Sequence, residues 1–156
     1  METELVYEIE SPEELQELYQ TYGWWEDRQL NDIRRAIEQT DEIIGLRDLE
    51  QGMLVASSRV LTDYVYYGKI LDTIVAESLR GNGLGKRVMN AITTHPQLQD
   101  VDILTLNCRE GLVPFYEACG FSVHDMTTER PDGTEEDYYM MVWSLTASGS
   151  NSELLT

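Results

Sequence analysis

The chain has 156 residues, 42% of them hydrophobic, with three Trp, nine Tyr and two Phe, which suits one folded domain and excludes a disordered chain. Its 29 Asp and Glu against 11 Lys and Arg give a formal net charge of −18, spread from Glu2 to Glu153; this excludes a basic nucleic-acid-binding stripe and points to a halophilic source, where molar salt screens the repulsion. No apolar run approaches the roughly 18 residues of a membrane span, the acidic start Met1-Glu2-Thr3-Glu4 lacks a signal pattern, so a cytoplasmic location is expected, and Cys108 and Cys119 are too few for a disulfide scaffold or zinc site.

Leu5, Tyr7 and Ile9 alternate with Val6, Glu8 and Glu10, which predicts an opening strand. Ser11-Pro12-Glu13-Glu14 then starts a helix, with Ser as N-cap, Pro at the first position and carboxylates at the positive dipole end; Gly23 is its expected stop. Leu30, Ile33 and Ile37 predict a second helix over about 28–39. Trp24-Trp25, between the two helices, either roof a pocket or plug the core. Strands follow over 42–47 and 53–61 around Gly52, and over 69–76 after a turn at Tyr64 to Gly68. Helix 83–94 ends before His95-Pro96, a strand covers 103–107, and a short helix over 112–118 is capped by Gly120. Strands 121–125 and 138–145 form an antiparallel pair across Pro131-Asp132-Gly133, and the Ser-, Gly- and Asn-containing residues 146–156 are expected to be a flexible tail. This order predicts a single α+β domain over 1–145, with a right-handed parallel crossover from strand 69–76 to strand 103–107.

Between that strand and helix 83–94 lies Arg80-Gly81-Asn82-Gly83-Leu84-Gly85, followed by Lys86. Glycines let the backbone turn sharply and approach a ligand, and the unpaired N–H groups of a first helical turn suit a phosphate. A P-loop would end Gly-Lys-Ser/Thr, whereas Arg87 follows Gly85-Lys86 here; a dinucleotide fingerprint would space its glycines as Gly-x-Gly-x-x-Gly, whereas these alternate.

Arg-x-x-Gly-x-Gly, on Arg80, Gly83 and Gly85, resembles the acetyl-coenzyme A pyrophosphate loop of the GNAT superfamily of N-acetyltransferases. Three more stretches resemble that family: Ser58–Asp63 its third strand, Asp72-Thr73-Ile74-Val75 its fourth, and Val113–Phe121 its Phe-Tyr-Glu-x-x-Gly-Phe segment. The resemblance runs to about Leu145. It implies a GNAT-like mixed, mostly antiparallel sheet of six to seven strands flanked by about four helices, and direct acetyl transfer from acetyl-CoA to a primary amine. It further implies that Ile74, Val75 and Ala76 offer backbone groups to the acetyl and pantetheine portions, that Arg80, Gly81, Asn82, Gly83, Leu84, Gly85 and Lys86 surround the pyrophosphate, and that Tyr116 protonates the leaving thiolate. Glu77 departs from the pattern, standing where many relatives carry Pro.

The attacking amine must lose a proton. Asp72, alternating with Ile70 and Ile74 on the key strand, is the candidate base; its alternative is a structural carboxylate satisfied by backbone or Arg groups. Trp24, Trp25, Tyr66 and Tyr67 are candidates for an aromatic acceptor wall. Cys108 has a van der Waals role at most, and His95 and His124 stand alone, so no metal is expected. The expected partner is a small-molecule or peptide amine, with no nucleic acid and no membrane, and the edges of the last two strands leave room for a homodimer. The rival reading is a non-catalytic acyl-CoA-binding sensor on the same fold.

Overall fold

A computed structural model describes residues 1–127 and 138–144. The turn at Pro131–Gly133 and the tail 146–156 lie outside them. The strands are β1 Thr3–Val6, β2 Glu42–Asp48, β3 Leu54–Thr62, β4 Tyr67–Val75, β5 Ile103–Arg109, β6 Ser122–Thr127 and β7 Tyr138–Ser144. The helices are α1 Pro12–Tyr19, α2 Leu30–Glu38, α3 Leu84–Thr93 and α4 Val113–Ala118. Seven strands form one mixed sheet in the order β1-β2-β3-β4-β5-β7-β6. The pair β4–β5 is parallel, and β1–β2, β2–β3, β5–β7 and β6–β7 are antiparallel. The expected parallel crossover and the final antiparallel pair are therefore present. β7 is an interior strand between β5 and β6, so among the described residues β6, not β7, is the strand of the last two at the edge.

The residues group into two compact units: Met1–Leu61 with Asp72–His95, and Thr62–Leu71 with the chain from Pro96 on. In the first, Ser11 is extended and its hydroxyl accepts from the Glu14 N–H, as the cap sequence predicts. Glu14 reaches back to the Glu10 N–H at 2.7 Å and takes a 2.6 Å ion pair from Arg47 of β2, so the start of α1 is tied to the sheet. The helix ends at Tyr19, one turn before Gly23, because Gln20 takes the C-cap. Leu15, Leu18 and Tyr19 of α1, Ile33 of α2, Leu54 of β3 and Ile74 of β4 form the core between helices and sheet. Burying one such aliphatic side chain contributes about 1.5–3 kcal/mol. Helix α3 packs on β2 through its apolar face, with Val88, Met89 and Ile92 fully buried. β1 is displaced toward the N-terminus from the predicted 5–9, and its register pairs Thr3–Val6 with Asp48–Gly45.

In the second unit, Ile103, Leu104 and Leu106 of β5 are buried with Met141 and Val142 of β7. Helix α4 closes in a Schellman motif: Phe121 N–H donates to the Tyr116 carbonyl and Gly120 N–H to that of Glu117, both at 3.0 Å, while Gly120 takes φ +97°. The glycine stop read from the sequence is thus correct, and it also holds the Tyr116 backbone. The β3–β4 turn is buttoned by Asp63, whose carboxylate accepts the N–H groups of Val65, Tyr66 and Tyr67 at 2.9, 2.8 and 3.1 Å.

Candidate active site

The glycine loop emerges from a 3₁₀ turn, Glu77–Leu79, and opens α3 as predicted. Gly81 and Gly83 adopt φ +84° and +80°, a region that L side chains avoid, and Gly83 is the N-cap. A Cβ built on either glycine would meet nothing within 4 Å, so the loop is open where those atoms would stand. The helical ladder begins with Arg87 N–H to the Gly83 carbonyl at 3.1 Å. The N–H groups of Leu84, Gly85 and Lys86 precede it, in positions that have no intrahelical acceptor and lie at the positive dipole end. Arg80 donates to the Val75 carbonyl at 3.3 Å and Asn82 to the Leu79 carbonyl at 2.9 Å, which folds the loop back on the end of β4. These features fit a phosphate-bearing ligand: an open cradle, backbone donors and flanking cations.

Ile74 is buried, Val75 is half-buried, and the Ala76 N–H donates to the Val55 carbonyl at 2.8 Å. That donor is spent on β3, and the Ala76 carbonyl already accepts from the Leu79 N–H at 2.9 Å, so Ala76 has only the second lone pair of its carbonyl for a pantetheine arm.

Asp72 sits two residues before Ile74, at the polar end of a cavity of about 170 Å³. Leu15, Tyr19, Ile33 and Ile37 are among its apolar lining, and Arg28, Asp32, Arg59 and Asp72 supply its charged groups. Arg28 grips both Asp72 oxygens, at 2.9 and 3.3 Å, and Arg59 donates Nε to Oδ2 at 2.8 Å. Burial pushes the Asp72 pKa up, but hydrogen bonds from the two guanidiniums and their charges outweigh it and leave the carboxyl below its ordinary value. A carboxylate so held is a weak proton acceptor, which favours the structural alternative for Asp72 over the base. The Arg28 guanidinium lies over the rings of Tyr19 and Trp25, 4.9 and 4.4 Å from their centroids. Burial raises the Tyr19 pKa well above the usual phenol range, with the Asp72 charge adding to it. Neither arginine was singled out from the sequence: they stand 44 and 13 residues from Asp72, and no local spacing links them to it.

Trp25 packs edge-on against Tyr19 and Tyr22, with centroids at 5.3 and 4.8 Å, whereas Trp24 is 40% exposed. The pair therefore divides: Trp25 belongs to the core, and Trp24 faces outward. In the other unit, Tyr66 and Tyr67 are exposed with rings 6.3 Å apart. Tyr116 is buried on α4 beside Phe115 and Phe121. Cys108 is buried with its Sγ 3.6 Å from the Met141 Sδ, and burial pushes its pKa up to about 11, as befits an inert thiol. His95 is buried, 3.2 Å from the Glu42 carboxylate and edge-on to Tyr7, a structural role. Among the described residues no group of three or more His, Cys, Asp and Glu is arranged to hold a metal. No described helix is long and apolar enough to cross a membrane.

The model of the acetyltransferase (GNAT) domain matches residues 33–134. The chain is 27% identical over 124 residues to the uncharacterized N-acetyltransferase ycf52 of Porphyra purpurea, covering 78% of this chain and 67% of that one. The fold is similar to that of the ribosomal-protein-S18-alanine N-acetyltransferase of Escherichia coli, with TM-score 0.76, 16% identity, and 96% and 98% of the two chains covered. It is also similar to that of a Bacillus subtilis acetyltransferase solved in complex with CoA, with TM-score 0.72, 15% identity, and 92% and 99% covered. With the family domain matched over most of its length, the chain belongs to the GNAT superfamily and is an N-acetyltransferase.

Proposed function

We propose that the protein transfers the acetyl group of acetyl-CoA directly to a primary amine of a small molecule or peptide. The observation that carries this reading is the open cradle at Gly81 and Gly83 on the N-terminus of α3, whose geometry suits the pyrophosphate of the donor. Arg80, Asn82 and Lys86 border it. The acceptor enters the cavity over Asp72, whose volume of about 170 Å³ and apolar wall suit a compact amine.

The ammonium gives up a proton to water. Its nitrogen then bonds to the acetyl carbonyl carbon, a backbone N–H near Val75 steadies the oxyanion, and the carbon–sulfur bond breaks. The thiolate takes a proton from Tyr116, and the phenolate recovers one from the new amide nitrogen. The acidic surface supports a halophilic setting, so assays belong in molar KCl.

The test is release of free CoA thiol from acetyl-CoA across a panel of alkylamines, amino acids and N-terminal peptides. Turnover of at least one amine, reduced by Tyr116→Phe without loss of acetyl-CoA binding, supports the assignment. Tight acetyl-CoA binding with no thiol release from any amine would favour the sensor reading instead.

A further inference from the structure

Asp72 has φ +55° in the middle of β4. An L residue pays a penalty in that region, and such a conformation persists where its surroundings over-determine it. Here they do. The carboxylate is pinned from two directions, by Arg28 from the α1–α2 connection and by Arg59 from β3. The next residue, Thr73, shares a 2.8 Å hydroxyl hydrogen bond with Ser58, and Ala76 is fastened to Val55. Downstream of the turn β4 is held to β3, and the turn is clamped at its own side chain. Burial stays in phase along β4, with Gly68, Ile70 and Ile74 buried and Lys69, Leu71, Thr73 and Val75 intermediate, so the turn at Asp72 leaves the buried face of the strand on one side.

We propose that Asp72 is a positioning residue: its two-arginine clamp holds a left-handed turn in β4 that presents the Ile74–Val75 backbone to the acetyl arm. The inference rests on the acetyl-transfer reading above. It gives the Arg28–Asp72–Arg59 cluster a function other than proton transfer. It also couples the acceptor cavity, which the cluster lines, to the donor strand.

The test measures the Kd of acetyl-CoA, with the apo melting temperature recorded in parallel, for wild type, Asp72→Asn, Asp72→Gly and Asp72→Ala. Asn adopts the left-handed region readily and keeps one acceptor oxygen; Gly adopts it freely but cannot be clamped; Ala resists it. The expected order of affinity is wild type, Asn within about threefold, then Gly, then Ala weakened about tenfold. Arg28→Gln should weaken binding in the Asp72 background and cost nothing further in Asp72→Gly, since the clamp is already gone. That second comparison stands even if Asp72→Ala fails to fold. A merely structural cluster would lower the apo midpoints of Gly and Ala without separating their affinities. Equal acetyl-CoA affinity in Gly and Ala, or additive losses in the double variant, would overturn the clamp alone. Wild type that does not bind acetyl-CoA overturns the acetyl-transfer reading and the clamp with it.

Discussion

Substitution of Gly83 separates the cost of a backbone conformation from the cost of filling a cradle. At φ +80°, alanine pays about 1–2 kcal/mol, less the roughly 0.4–1 kcal/mol that Gly→Ala recovers from the unfolded chain. No steric clash adds to this, because a Cβ at Gly83 meets nothing within 4 Å. The apo protein should lose about 0–1.6 kcal/mol, and at roughly 2–4 °C per kcal/mol for a chain of this size the midpoint falls by at most about 6 °C. Acetyl-CoA at about 100 times its Kd stabilises wild type by about 2.7 kcal/mol, a rise of about 5–11 °C. In Gly83→Ala that rise should shrink to near zero, because the new methyl stands where the pyrophosphate must approach. Gly83→Asn is the control: it tolerates the left-handed region, so its apo midpoint should stay closer to wild type, yet its Cβ obstructs the cradle equally. The assay is a thermal melt in molar KCl with and without acetyl-CoA. Full retention of the ligand-induced rise in both variants would refute the placement of the donor on this loop.

Three further outcomes follow from the packing and the charges. Trp25→Ala should destabilise by about 2–4 kcal/mol in a denaturant melt, since it strips the face that carries Tyr19, Tyr22 and Arg28, while Trp24→Ala, which removes a more exposed ring 5.7 Å from that of Tyr22, costs about 0.5–1.5 kcal/mol; equal effects would contradict the division between the two. Cys108, with its pKa raised from 9.0 to about 11, should be roughly a hundredfold poorer in thiolate near neutral pH and react with a disulfide reagent far more slowly in the native protein than in guanidinium. The Asp72 carboxyl lies below its unfolded value, so the stability it contributes is complete above about pH 4 and is lost as pH falls through its folded pKa. Asp72→Asn should therefore flatten the acid limb of a stability–pH curve, leaving the slope that Glu14, also held low, supplies; an unchanged limb would mean that folding does not lower the Asp72 pKa.

The features that depend on neighbouring residues were legible in the sequence. Ser11 with Glu14, Gly83 before an amphipathic run, and Gly120 after Tyr116 each act within a few residues, and each appears as read. The parallel crossover and the antiparallel final pair were legible from their connections, whereas the place of β7 between β5 and β6 was not. What resisted reading was long-range or conformational. Asp72 alternates with Ile70 and Ile74 as if β4 were regular, and only its positive φ reveals that the chain turns there. Its arginine partners come from a loop and another strand, and charge pairs of that kind leave no periodicity. The end of α1 was misjudged by one turn because Gln20 supplies an ordinary cap where Gly23 looked like the stronger stop.

The chain contains two lysines, Lys69 and Lys86. Lys69 is half-buried, its ammonium bonded to the Asn107 side chain and its pKa lowered by burial, while Lys86 is exposed in the first turn of α3. Amine-directed chemistry therefore has a single well-exposed side-chain target, on the very loop assigned to the donor. Protection of the same amine by acetyl-CoA would give a footprint readable by peptide mass alone.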